Sequence, residues 1–449
     1  MTLLDDTSVT GEVTELIQGL IRNACVNDGT VDSGHEHRSA DLVVDYLEGS
    51  GLDLQRYESE PGRESVVARI EGSDPDAPAL LLMGHTDVVP VTAENWEHDP
   101  FGGELIDGEV WGRGAIDMLN LTASMAVATR RIATSGWRPK GSLIYFAVAD
   151  EEAAGTWGAE WVLDRDPEVL RCDYAITESG GMPIQTPGGT KLPVIVAEKG
   201  ISWWTLRVKG TAGHGSQPFR TDNALVKAAE VVRRVANYRP PTSIHDVWRQ
   251  FVEGMEFPPE LSAPFLDPDG FYEMCEGLPM LGLARQAHAC THTTFAPTMA
   301  SGGVKHNVIP DRVDIAVDIR TLPGQTHADV QAMLDDALGD LRDDVETIVV
   351  ANDEATISPV DTPMWDTLQR VSEALVPGSR TVPFMTVGGT DARFFRRLGI
   401  PSYGYGLFSA NIGFDQFAAM FHGDNERVDQ ESLRLSTVLW DAVAREMLG

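Results

Sequence analysis

Three short apolar runs, Ala79 to Met83, Leu143 to Ala149 and Tyr174 to Thr177, each stop within a few residues of a histidine or a carboxylate. Runs of four to eight apolar residues bounded by turn signals read as strands buried on both faces. Such strands need helices above and below. Four stretches around them, Glu12 to Ile21, Ser39 to Leu47, Leu119 to Ile132 and Trp157 to Leu163, carry apolar residues at helical spacing. The alternation predicts an α/β layer architecture. Open sheets of that kind hold ligands beyond the carboxyl ends of their strands, which is where these polar side chains fall.

Near Gly200 the pattern changes. An amphipathic strand (Ile201 to Val208) is followed by a Gly-rich loop, a helix (Asn223 to Val235), strands near His292 to Met299 and Val313 to Arg320, a helix near Ala328 to Leu341 and a strand at Glu346 to Val350. The α/β pattern resumes at Met364, with strands near Thr381 to Val387 and Ser402 to Tyr405 and a closing helix from Gln430 to Met447. Residues 199–352 therefore read as an inserted α+β domain, and 1–198 with 353–449 as a discontinuous first domain. Between Pro240 and Ala289 lies a segment rich in Pro and aromatics that reads as irregular. It is either a satellite apolar cluster on the inserted domain or the wall of a substrate pocket.

Charge narrows the partners. Thirty-five Lys and Arg against 68 Asp and Glu leave a formal charge of −33, spread along the chain without a block of one sign. Nucleic acids and anionic membrane surfaces repel such a protein. No stretch approaches the ~20 apolar residues of a membrane span, and the first residues lack the basic and apolar parts of a secretion signal. A cytoplasmic location is expected. The four cysteines show no C-x-x-C spacing, which argues against a disulfide scaffold or a zinc finger.

In Leu80-Leu-Leu-Met-Gly-His-Thr-Asp, His85 and Asp87 lie just beyond a buried strand on the same extended face. A ligating imidazole needs its second nitrogen held by a carboxylate or carbonyl, and Asp87 is a candidate. Asp117 sits in the Gly-flanked loop Trp111-Gly-Arg-Gly-Ala-Ile-Asp-Met entering a helix, as a metal ligand or as an N-cap. Asp150-Glu151-Glu152 follows the second run, a crowding of carboxylates that cations or water must relieve. Glu178 ends the third run, and His422 lies in Phe421-His-Gly-Asp-Asn-Glu-Arg.

The order of these motifs, with Gly-His-Gly-Ser-x-Pro between them, resembles the co-catalytic zinc amidohydrolases, which include aminoacylases, glutamate carboxypeptidase, acetylornithine deacetylase and succinyl-diaminopimelate desuccinylase. The likeness runs from about Gly84 to Arg427. It implies a zinc-peptidase-like α/β/α catalytic domain with a mixed sheet, plus a ferredoxin-like lid through which two copies form a homodimer. It implies two zinc ions per chain, replaceable by cobalt or manganese: one held by His85 and Glu178, the other by Glu152 and His422, with Asp117 bridging. Asp87 would orient His85. Glu151 would be the general base, serving a hydroxide shared by the two ions as it attacks an amide carbonyl. The substrate is expected to be a peptide or an N-acyl-amino acid.

The resemblance extends to substrate contacts. It implies that His214, in Gly210-Thr-Ala-Gly-His-Gly-Ser, stabilises the oxyanion in the partner subunit's site. Asn307 and Arg320 would hold the oxyanion or a carboxylate. Gly389, Thr390 and Arg393, in Val387-Gly-Gly-Thr-Asp-Ala-Arg, match a substrate loop or else form a plain loop-to-helix junction with an N-cap. Leu119-Asn120 stands where many members carry Lys-Gly, which leaves the subfamily open. A biosynthetic deacylase of the desuccinylase or deacetylase type is one alternative to a peptidase or aminoacylase, and a catalytically silent binding protein is a remote one.

Overall fold

A computed structural model describes residues 8–449. Ten strands form one mixed sheet. Along its main path they run Asp53–Glu60, Arg63–Ile70, Leu143–Val148, Leu80–His85, Tyr174–Thr177, Ser402–Gly404, Gly189–Glu198 and Thr356–Ile357; Ile184–Thr186 and Ser379–Thr386 also pair with Gly189–Glu198. The four strands from Leu143–Val148 to Ser402–Gly404 are mutually parallel, and antiparallel pairs flank them. Leu82 lies opposite both Tyr145 and Ile176, so the three runs end nearly level and deliver their polar residues to one edge.

The absence of period-two patterning in these runs has a simple cause. Leu80, Leu82, Leu143 and Tyr145 point into one apolar core with the helices Ser8–Asn23, Leu119–Thr134 and Gln430–Leu448. Leu81, Met83, Ile144 and Phe146 point into a second core on the opposite face, with Val162, Leu170 and Phe395. Both faces are dry.

Four antiparallel strands, in the order Thr294–Gly302, Arg312–Thr321, Gly200–Lys209 and Val345–Asp353, make a separate sheet. Here alternation is clean: Trp204, Leu206 and Val208 are buried with Ile315, Val317 and Ile319 against the helices Ala224–Asn237 and His327–Leu338. The chain passes between the two sheets twice, at Glu198–Gly200 and between Asp353 and Thr356.

The segment expected to be irregular is helical. Asp246–Gly254, Pro259–Ser262, Phe271–Gly277 and Leu281–Thr291 are short helices, and prolines and glycines break them into pieces too brief to show a helical period. Its aromatics join the core of the large sheet: the Phe251 ring lies 4.6 Å from that of Phe384, and Trp248 Nε1 donates to the Phe265 carbonyl at 2.8 Å. The hairpin Asp53–Glu60 with Arg63–Ile70 was hidden because its first strand is a charged, half-exposed edge.

Candidate metal site

His85 closes its strand, buried. Its Nδ1 lies 2.9 Å from the main-chain oxygen of Asp87 and 3.6 Å from that residue's Oδ1, so the carbonyl is the nearer partner. The ring is thereby turned with Nε2 toward Asp117 Oδ1, 3.3 Å away, and Glu178 Oε2, 4.0 Å away. The other oxygen of Asp117 is 3.2 Å from His422 Nε2, which in turn lies 3.3 Å from Glu152 Oε2. One carboxylate thus stands between two imidazoles, each with its own glutamate.

The carboxylate of Asp87 serves the neighbouring strand's turn. It accepts the main-chain N–H of Glu151 at 3.2 Å and of Glu152 at 3.1 Å, and Asn27 donates to it at 2.9 Å. Asp150 adopts a left-handed conformation with φ 71°, accepts from Trp157 N, and pairs with buried Arg63 at 2.7 Å. Gly155 is required here. A side-chain carbon at that position would lie 2.2 Å from Asp391 Oδ1.

The loop bearing Asp117 hangs on Glu426. That carboxylate is fully buried and accepts from the amides of Gly114, Ile116 and Asp117 and from Arg113 Nη1. In the motif Phe421-His-Gly-Asp-Asn-Glu-Arg, nothing local sets Glu426 apart from its acidic neighbour. An acid immediately before the short strand Arg427–Asp429 is a weak signal, and its partners lie some three hundred residues away.

Burial pushes the carboxyls of Glu151 and Glu178 well above the usual range, helped by the charge of Glu178 on the first and of Asp117 on the second. Burial and then Asp117 raise Glu152 in the same direction. Burial also raises Asp117, but hydrogen bonds with His422 and His85 outweigh it and hold that carboxyl below its ordinary value. Contacts with Asp117 and Glu152 lift His422 to about 10. So much crowded negative charge calls for cations. His85, Asp117 and Glu152 form one group whose ligand atoms lie within 4.8 Å of one another, and His85, Glu151 and Glu178 form a second. Glu152 Oε1 is buried with no hydrogen-bond partner, and an imidazole–carboxylate donor set suits a divalent transition metal.

The remaining expected residues lie elsewhere. His214 is exposed and bonds Ser216 Oγ at 2.7 Å; Asn307 is its neighbour, since Gly215 N donates to the Asn307 carbonyl at 2.8 Å. Arg320 pairs with Asp318 at 2.7 Å on the four-stranded sheet. Gly389 faces Ile201, and a side chain there would meet it at 3.0 Å. Thr390 is buried and gives both its N–H and its hydroxyl to Glu198. The Arg393 nitrogens engage Thr390 O, Ala154 O and Asp353.

Buried His85 and half-exposed His422, gathered with Asp117, Glu152 and Glu178 at the carboxyl edge of a mixed α/β sheet, form a site of the kind metal-dependent hydrolases use. The sequence pattern of Peptidase family M20/M25/M40 matches residues 81–446, and the chain belongs to that family. Over 375 residues it is 29% identical to the human N-fatty-acyl-amino acid synthase/hydrolase PM20D1, covering 81% of this chain and 73% of the relative. Human aminoacylase-1 is 28% identical over 362 residues, 79% of this chain and 78% of that one. Among solved structures, an M20 family metallo-carboxypeptidase from Sulfolobus solfataricus superposes with a TM-score of 0.71 at 16% identity, over 97% of this chain and 98% of the other. The described residues include no helix long and apolar enough to cross a membrane.

Proposed function

We propose that this enzyme hydrolyses the amide bond of N-acyl-amino acids or small peptides. The observation that carries the reading is the Asp117 carboxylate, 3.3 Å from His85 on one side and 3.2 Å from His422 on the other. In this reading His85 and Glu178 would hold one zinc ion and Glu152 and His422 a second, with Asp117 serving both. Bound there, the pair would lower the pKa of a water and draw charge from the scissile carbonyl. Cobalt or manganese can take the same donors.

Asp150 of the same turn is held by Arg63, and Glu151, beside His85 and Glu178, is the carboxylate assigned to accept the proton of the attacking water and return it to the leaving nitrogen. Asp87 aims both glutamates by gripping their amides. Exposed His214 supplies a hydrogen bond to the oxyanion in the partner of a homodimer, and Asn307, on the adjacent paired segment, holds the oxyanion or a carboxylate. Arg320, whose Nε and Nη2 are paired with Asp318, would exchange that partner for the substrate's oxyanion or carboxylate. The likeness to aminoacylase-1 and to an N-fatty-acyl-amino acid hydrolase supports an acylated amino acid over a longer peptide.

A hydrolysis screen of N-acetyl- and N-fatty-acyl-amino acids, dipeptides and succinyl-diaminopimelate, with zinc, cobalt and manganese in turn, tests this. Turnover is expected on acylated amino acids. Full metal binding with no turnover on any member would replace the reading with that of a silent binding protein. Mixing inactive Glu151→Ala with inactive His214→Ala tests the shared site: subunit exchange should restore activity in heterodimers, and no recovery would confine His214 to its own chain.

A further inference from the structure

We propose that Arg393 is a positioning residue, a strut that couples the passage between the two sheets to the turn carrying Glu151 and Glu152. This rests on the reading of that turn as catalytic. Arg393 is 5% exposed; two of its nitrogens donate hydrogen bonds within the chain, and the third, which makes none, lies in ion-pair contact with a carboxylate. Nη1 donates to the Thr390 carbonyl at 2.7 Å and Nη2 to the Ala154 carbonyl at 2.6 Å, while Nε lies 2.9 Å from Asp353 Oδ2. A substrate carboxylate has little of this side chain left to meet.

The three partners belong to three different parts of the fold. Asp353 is the last residue of the edge strand Val345–Asp353 of the four-stranded sheet, where the chain returns to the large sheet; its other oxygen pairs with Arg397. Ala154 closes the glutamate turn: its N–H bonds the Glu151 carbonyl at 2.9 Å, and its backbone is left-handed with φ 79°. Thr390 is fixed to buried Glu198, on the outgoing passage. A guanidinium is a rigid plane, and this one is buried while its carboxylate partner Asp353 is 31% exposed, so parting the pair costs the guanidinium its nearest counter-charge in a desolvated place. Any rotation of the four-stranded sheet that moves Asp353 therefore pulls on Arg393 and, through it, on the Ala154 carbonyl. The orientation of one sheet and the aim of the two glutamates become a single variable.

The test uses the full zinc-dialysed chain with Asp353→Asn, Arg393→Gln and Arg393→Lys. Hydrogen exchange read by mass spectrometry reports the turn directly, because the amides of Ala153, Ala154 and Gly155 are bonded to Asp150 and Glu151. Asp353→Asn should speed exchange there by about tenfold, although Asp353 does not belong to the turn. Arg393→Lys should restore part of the protection that Arg393→Gln removes. On the substrate found by screening, both Asp353→Asn and Arg393→Gln should lower kcat by about tenfold with little change in KM, and the double variant should be no worse than the poorer single one. Unchanged exchange in Asp353→Asn, or a raised KM at constant kcat in Arg393→Gln, overturns the strut; the latter would make Arg393 a substrate ligand. Should Arg393→Gln fail to fold, the isosteric Asp353→Asn decides alone. A wild-type chain without hydrolase activity defeats the proposed function, whereas the exchange result judges the strut independently.

Discussion

Glu426 Oε1 accepts the main-chain N–H of Asp117 at 3.0 Å, across 309 residues of sequence. The same side chain takes the amides of Ile116 at 2.7 Å and Gly114 at 2.9 Å and the Arg113 guanidinium at 2.8 Å. One glutamate four positions after His422 therefore shapes the loop that presents Asp117, and both ends of the site are tied to each other without any ligand.

Removing that tie should cost stability and metal together. Glu426→Ala strands a buried guanidinium and three amides, so chemical denaturation is expected to show a loss of ~3–5 kcal/mol. Metal titration should show affinity weakened by ~10–100-fold, the usual effect of losing a residue that orients a ligand. Wild-type values in both measurements would mean that the loop holds its shape unaided.

Asp117→Asn keeps the shape of the shared carboxylate and removes its charge. Elemental analysis after mild dialysis should return close to two divalent ions per wild-type chain by the proposed assignment, and fewer in this variant. A wild-type chain that saturates at one ion with full activity would end the bridging role.

Adjacent glutamates should separate cleanly. Glu151→Gln is expected to retain metal and lose ~10²–10⁴-fold in turnover, as a general base does. Glu152→Gln should instead bind less metal, since its Oε2 faces His422 at 3.3 Å. The reverse pattern would exchange the two roles.

Chelation should make stability depend on pH in a defined sense. Glu151, Glu152 and Glu178 titrate above their unfolded values because of burial. Without metal, the folded chain holds protons that the unfolded chain releases, so this contribution is fully present below about pH 4.3 and is lost as pH rises. Divalent cations offset the loss. The gap in thermal midpoint between zinc-loaded and chelated protein should widen from pH 5 toward pH 8, and a constant gap would show that the glutamates are not what the metal relieves.

Sequence patterning revealed the strands that carry this chemistry because they are buried on both faces: Leu80 to Met83 and Leu143 to Val148 are apolar without a break. It also brought His85, Asp117, Glu152, Glu178 and His422 to notice, since each stands at a strand end or in a Gly-flanked loop. What it could not reveal was support from far along the chain. Nothing local marks Glu426 as the partner of Ile116, Asn27 as a donor to Asp87, or Arg63 as the counter-ion of Asp150. The charged strand Asp53–Glu60 and the helices between Asp246 and Thr291 escaped for a related reason: their burial comes from neighbours, not from their own periodicity.

The strand Ser402–Gly404 lies between Tyr174–Thr177 and Gly189–Glu198, so a sheet begun by the first half of the chain contains a slot filled only by its last fifty residues. During synthesis at about 5–20 residues per second, that slot stays open for many seconds after Tyr174 has emerged. For that interval the nascent chain carries an unpaired apolar strand edge beside a cluster of carboxylates whose last histidine has not yet been made. Protection of that edge, by a chaperone or by speed of assembly, is thus a requirement built into the order of the strands.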